Sequence, residues 1–144
     1  KETVSGQELI HLNHTVTGAN QTFLAFKHDS TVRGTIIVND STDQVVYNTT
    51  SDERVKENIE KVDDALSIVN KIPVKKFNFI GNEQKTPVIG YIGQELIKEY
   101  PQAVSITKTD DFDDYHMVDE SKMVAVLMKA VQELSAKVGE LENA

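Results

Sequence analysis

At Ser51 the hydrophobic period of the chain changes, and that change calls for an α+β architecture in two parts. Residues 1–50 carry short β-branched or aromatic runs: Leu9-Ile10-His11-Leu12, Thr22-Phe23-Leu24-Ala25-Phe26, Thr35-Ile36-Ile37-Val38 and Gln44-Val45-Val46-Tyr47. Turn formers separate them at Gly18-Ala19-Asn20, His28-Asp29-Ser30 and Asn39-Asp40-Ser41, so this part reads as short strands. A segment this small buries little core and normally needs metal, disulfides or partner subunits. Cysteine is absent, which makes partner subunits the economical answer. The alternative is a small sheet that packs on the second part.

Beyond Ser51 the period becomes helical. Val55, Ile59, Val62, Leu66 and Val69 recur at intervals of four and three, the spacing of one helix face. Ser51 is a good N-cap, and Asp52 and Glu53 suit the positive end of a helix dipole. The helix is expected to stop before Pro73. Residues 75–80 and 86–92 then read as strands turning at Gly81-Asn82, residues 94–100 as a short helix ended by Pro101, and residues 103–107 as a strand. His116 to Val118 reads as a last strand leading to Asp119, a helix cap.

In the final segment Val124, Leu127, Val131, Leu134, Val138 and Leu141 alternate three and four apart without a break, which is an a/d heptad seam. Lys129, Glu133, Lys137 and Glu140 occupy other positions. A helix of this length is marginal alone, so it is expected to hold chains together. The competing assignment is an amphipathic helix lying on its own domain.

Charge and composition exclude several functions. The net charge is −8, whereas a general nucleic-acid binder needs a basic patch. Residues 1–51 hold three basic and five acidic groups; residues 52–144 hold twelve and eighteen. No apolar run approaches a membrane span and no stretch resembles a signal peptide. Asp110-Asp111-Phe112-Asp113-Asp114 lacks the ligand spacing and turn glycine of an EF-hand loop and is expected to be solvated. His11 and His14 are three apart, so on a strand they face opposite sides and cannot share a metal. No Gly-rich phosphate loop is present. We therefore expect no metal and no cofactor. The first residue is Lys1, and a longer parent polypeptide is expected.

The segment Ser51-Asp52-Glu53-Arg54-Val55-Lys56-Glu57-Asn58-Ile59 resembles the start of the C-terminal intramolecular chaperone domain of phage tailspikes, tail fibres and endosialidases (peptidase S74). The resemblance continues through Gly90-Tyr91-Ile92-Gly93-Gln94-Glu95-Leu96, Pro101, Tyr115-His116-Met117-Val118-Asp119, Met123-Val124-Ala125-Val126-Leu127 and Val131-Gln132-Glu133-Leu134. Gly93 stands where alanine is commoner. The resemblance implies a β-stalk end at residues 1–51, intertwined in a homotrimer, and a chaperone domain with long amphipathic helices at residues 52–144. It implies that three chains are brought into register, and that cleavage between Ser51 and Asp52 then releases the chaperone domain. The implied partners are two further copies and an upstream fibre or spike domain. The implied locations are the virion tail and, for the released domain, the host cytoplasm.

The implied catalytic pair is Ser51 and Lys56. A serine hydroxyl needs a base, and lysine serves when desolvation or a nearby cation keeps it neutral; Arg54 could act as that cation. Asn58 and Asp52 stand as orienting or oxyanion-side groups. Attack of Ser51 on its own carbonyl would close a strained four-membered ring, and attack on Thr50 would cut one bond earlier. A neighbouring chain's serine or an activated water removes the difficulty. On a helix beginning at Asp52, residues five apart lie roughly 140° round the axis, so Ser51 and Lys56 would not meet. Either that start is unwound, or Lys56 serves another subunit. Without the resemblance, Ser-Asp before an amphipathic run is a helix cap. The alternative functions are a permanent trimeric or receptor-binding tip that never cleaves, and a monomeric binding module.

Overall fold

A computed structural model describes Leu12 and residues 21–144. The chain divides into two compact units, residues 1–59 and 60–144. Apart from Leu12, the first expected strand lies outside the described residues, as do the turn at residues 18–20 and both His11 and His14.

The first unit is an antiparallel sheet in the order β1 (Gln21–His28), β2 (Thr31–Asn39), β3 (Gln44–Thr49). Its two hairpins fall where turn residues stand. Asp29 and Ser30 both adopt positive φ, 47° and 64°, which is the twist that a two-residue hairpin requires. Asn39 Oδ1 accepts the amides of Ser41 and Thr42 at 2.9 and 3.2 Å and tightens the second turn. The sheet buries little by itself: Leu24, Phe26, Val32, Val45 and Tyr47 are all exposed.

The helix expected from Asp52 to Pro73 is not formed as such. A three-residue 3-10 turn, Glu53–Val55, is followed by extended chain, and α1 spans only Ala65–Lys71. Asn58 and Asp64 interrupt the path at φ 52° and 58°, a left-handed geometry that ends a right-handed helix and that Asn and Asp tolerate best after glycine. Val55, Ile59 and Val62 are 55, 70 and 53 % exposed. They lack the packed face that stabilises a short helix. Of the expected long helices, one remains.

That helix is α3, Met123–Glu142, 20 residues long and continuous with a 3-10 turn at Glu120–Lys122. Asp119 caps the turn, its Oδ1 accepting the Ser121 amide at 3.1 Å. Between α1 and α3 run β4 (Lys75–Phe77) paired with β5 (Val88–Gly90), α2 (Gly93–Glu99), and β6 (Val104–Thr107) paired with β7 (Tyr115–Val118). The strands at 75–80 and 86–92 are thus shorter than expected, with Gly81 at φ 86° in the loop between them. Ala65, Ile72, Leu96, Tyr100, Ala103, Met123, Val126 and Ala130 form the core of the second unit. Met123, Val126 and Ala130 are one stripe of α3. The expected seam, Val124 to Leu141, is the adjacent stripe, and every member of it is exposed.

Candidate active site

The β3 strand delivers Ser51 to a fixed place. The residue before it, Thr50, donates its amide to the Arg33 carbonyl at 3.0 Å and its hydroxyl to the Val32 carbonyl at 2.9 Å. The chain is thereby tied to β2 immediately before the motif begins.

After Ser51 the backbone turns back on itself. Asp52 Oδ1 accepts the Arg54 amide at 2.9 Å, the side-chain cap expected of an aspartate at a turn. The Val55 and Lys56 amides donate to the carbonyls of Asp52 and Glu53 at 3.3 and 3.0 Å. Lys56 leaves the turn in extended geometry, φ −123° and ψ 149°. Its Nζ then lies 2.7 Å from Ser51 Oγ and donates to it. The obstacle posed by a regular helix therefore disappears, because the segment between the two residues is a tight turn. With a neutral amine the same contact runs in reverse, Ser51 O–H donating to Nζ, which is the geometry of a general base beside its nucleophile.

Arg54 is engaged elsewhere than expected. Its Nε and Nη2 donate to Asp52 Oδ1 and Oδ2 at 2.9 and 2.6 Å, a two-point grip on the carboxylate. This bond, then the Arg54 amide, and more weakly the Lys56 charge, hold Asp52 below the usual carboxylate range. The same bond raises the Arg54 guanidinium. Arg54 is thus paired with Asp52. Sequence reasoning missed this link because residues two apart do not face each other on a helix; an aspartate capping a turn was the available signal. Asn58 is at the bend following the turn, at φ 52°. Ser51 and Lys56 are both exposed in the single chain.

Other expected sites are quickly placed. Among the described residues no group of three His, Asp or Glu side chains is arranged to hold a metal ion, and residues 110–114 form an exposed loop. No described helix is long and apolar enough to cross a membrane.

Residues 51–105 match the family described as Peptidase S74, chaperone of endosialidase. Residues 51–105 carry a Peptidase S74 domain. The match begins at Ser51 itself and contains both members of the 2.7 Å pair. Several relatives of the chain are phage fibre proteins. The long tail fiber protein Gp37 of Enterobacteria phage K3 is 33% identical over 96 residues, 65% of this chain and 8% of that protein. Gp37 of Enterobacteria phage T2 is 33% identical over 96 residues, covering 7% of its length. A probable tail fiber protein of Escherichia phage Phieco32 is 38% identical over 94 residues, 64% of this chain and 13% of that protein. The chain therefore spans only a small part of the length of these relatives.

Proposed function

We propose that residues 52–144 act as an intramolecular chaperone that trimerises a phage tail-fibre or tailspike β-stalk and is then cut away between Ser51 and Asp52. The observation that carries this reading is the 2.7 Å contact of Lys56 Nζ with Ser51 Oγ at the first residue of the family match. In the reaction, neutral Lys56 takes the Ser51 proton and Oγ attacks the peptide carbonyl. The C–N bond breaks as the ester forms, the leaving amine takes the proton back from Lys56, and water hydrolyses the ester. Ring strain excludes attack of Ser51 on its own carbonyl, so in this reading the carbonyl attacked is a neighbouring chain's, with a water activated at the site as the alternative nucleophile. Burial against that neighbour also supplies the drier surroundings in which a lysine gives up its proton.

The surfaces left bare support the trimer reading. The sheet exposes Leu24, Phe26, Val45 and Tyr47, and α3 exposes its whole seam; single soluble domains rarely leave so much apolar surface unpaired. Registering three chains first makes sense for a β-stalk, whose non-local pairings carry a heavy loop-closure cost. Loss of the registering domain then leaves the stalk kinetically trapped in the virion tail, and the released domain stays in the host cytoplasm. The upstream part of the fibre is the expected client.

The test is assembly and cutting together. Uncut Lys56→Met chains should sediment at three times the 16.1 kDa chain mass and remain whole, while wild type separates into two fragments. A Ser51→Ala chain co-folded with wild type should be cut after position 51 by its neighbour's serine. Monomeric Lys56→Met protein would overturn the reading in favour of a monomeric binding module, and an intact wild-type chain would leave a permanent trimeric tip that never cleaves.

A further inference from the structure

We propose that Asp52 is a positioning residue, which brings Lys56 to Ser51 through the turn it caps and so sets the serine up as nucleophile; this inference rests on the cleavage reading above. One carboxylate makes both connections. Oδ1 accepts the Arg54 amide at 2.9 Å, and the guanidinium bridges both oxygens at 2.9 and 2.6 Å. With the turn closed, the Lys56 amide reaches the Glu53 carbonyl at 3.0 Å and the side chain folds back to 2.7 Å from Ser51 Oγ. On the other side, Thr50 is tied to Val32 and Arg33 of β2. The expected scissile bond thus lies between two anchors, and the residue just after it builds the second. Only a serine followed by a side chain that can cap the turn is brought to its lysine in this way. Aspartate, asparagine and serine can do so; alanine cannot.

The chain contains no cysteine, so Ser51→Cys places a single thiol beside Lys56. The charged residues nearest it in the motif are Asp52, Glu53, Arg54, Lys56 and Glu57, and the backbone carbonyl of Arg33 on the adjoining strand holds the Thr50 amide. Alkylation of this thiol by iodoacetamide, followed against pH, reads how close the Lys56 ammonium lies. The midpoint should fall below the ordinary thiol value of about 8.5 and rise when Lys56→Met is added. Asp52→Ala should also raise it, although loss of a negative charge alone would lower it. Asp52→Asn and Asp52→Ser, which retain an acceptor oxygen, should keep it low.

In chains that retain Ser51, Asp52→Ala should slow cleavage roughly 100-fold, the scale of a small misplacement of reacting groups. Asp52→Asn should stay within a few-fold of wild type. A midpoint that is unchanged or lowered in Asp52→Ala, or cleavage as fast as wild type, overturns the proposal. A thiol pattern as expected in a chain that never cuts upholds the positioning role and sinks the cleavage reading. The reverse pattern sinks the positioning role alone.

Discussion

Glu133 caps Leu66 from the other end of the second unit: its carboxylate, on α3, accepts the Leu66 amide at 2.9 Å across 67 residues of sequence. The Ala65 amide reaches the same carboxylate at 3.2 Å. The residue before α1, Asp64, makes no side-chain cap, so two of the orphan donors of this short helix are satisfied by a residue from the helix it packs against.

The Leu66 bond is the largest cause that holds Glu133 below the usual carboxylate range, with the Ala65 bond and the Lys129 charge adding to it. A depressed folded-state pKa gives stability that is full above the unfolded value of about 4.3. That stability is lost as pH falls through the depressed folded value. Thermal melts should therefore show Glu133→Ala a few degrees below wild type at neutral pH, with the gap closing towards low pH. A gap independent of pH would mean that packing, and not the charged cap, is what the substitution removes.

Gly93 and His116 are pressed together where α2 starts. A Cβ on residue 93 would lie 2.6 Å from the His116 Cβ. Gly93→Ala should cost about 1–3 kcal/mol, as overpacking does. His116→Ala leaves the offending Cβ in place and should not restore stability in that background, whereas His116→Gly should. Denaturant unfolding of the four chains decides it. The glycine that departs from the commoner alanine is thus matched to its neighbour.

The seam prediction separates folding from assembly. Val131 and Leu134 are 65 and 50 % exposed, while Met123, Val126 and Ala130 on the adjacent stripe are buried. Val131→Asp with Leu134→Asp should abolish the proposed trimer in sedimentation and leave the helical circular dichroism signal nearly unchanged. Loss of helix together with mass would show that the seam serves the domain's own core.

These relations also show what the residues disclosed in advance. The β-branched runs and the Asp29-Ser30 turn foretell β1 to β3, because local period and turn chemistry agree there. The period from Val55 to Val69 foretells a helix, yet only its last part forms. Period carries no information about φ at Asn58 or Asp64. On α3 two neighbouring stripes share the same three-and-four spacing, and spacing cannot tell which one meets α1. The Ser51–Lys56 pair was legible from resemblance, whereas its contact was not. A separation of five forbids the meeting on a helix, and only the Asp52-capped turn allows it.

The central claim is that Ser51 and Lys56 cut the chain. Intact mass of freshly made wild-type protein under denaturing conditions, beside Ser51→Ala, tests it most directly. We predict two wild-type fragments whose masses place the break between Ser51 and Asp52, and a single full-length Ser51→Ala chain of 16.1 kDa within the mass of one substitution. A wild-type chain that stays whole, or two fragments from both proteins, would contradict it.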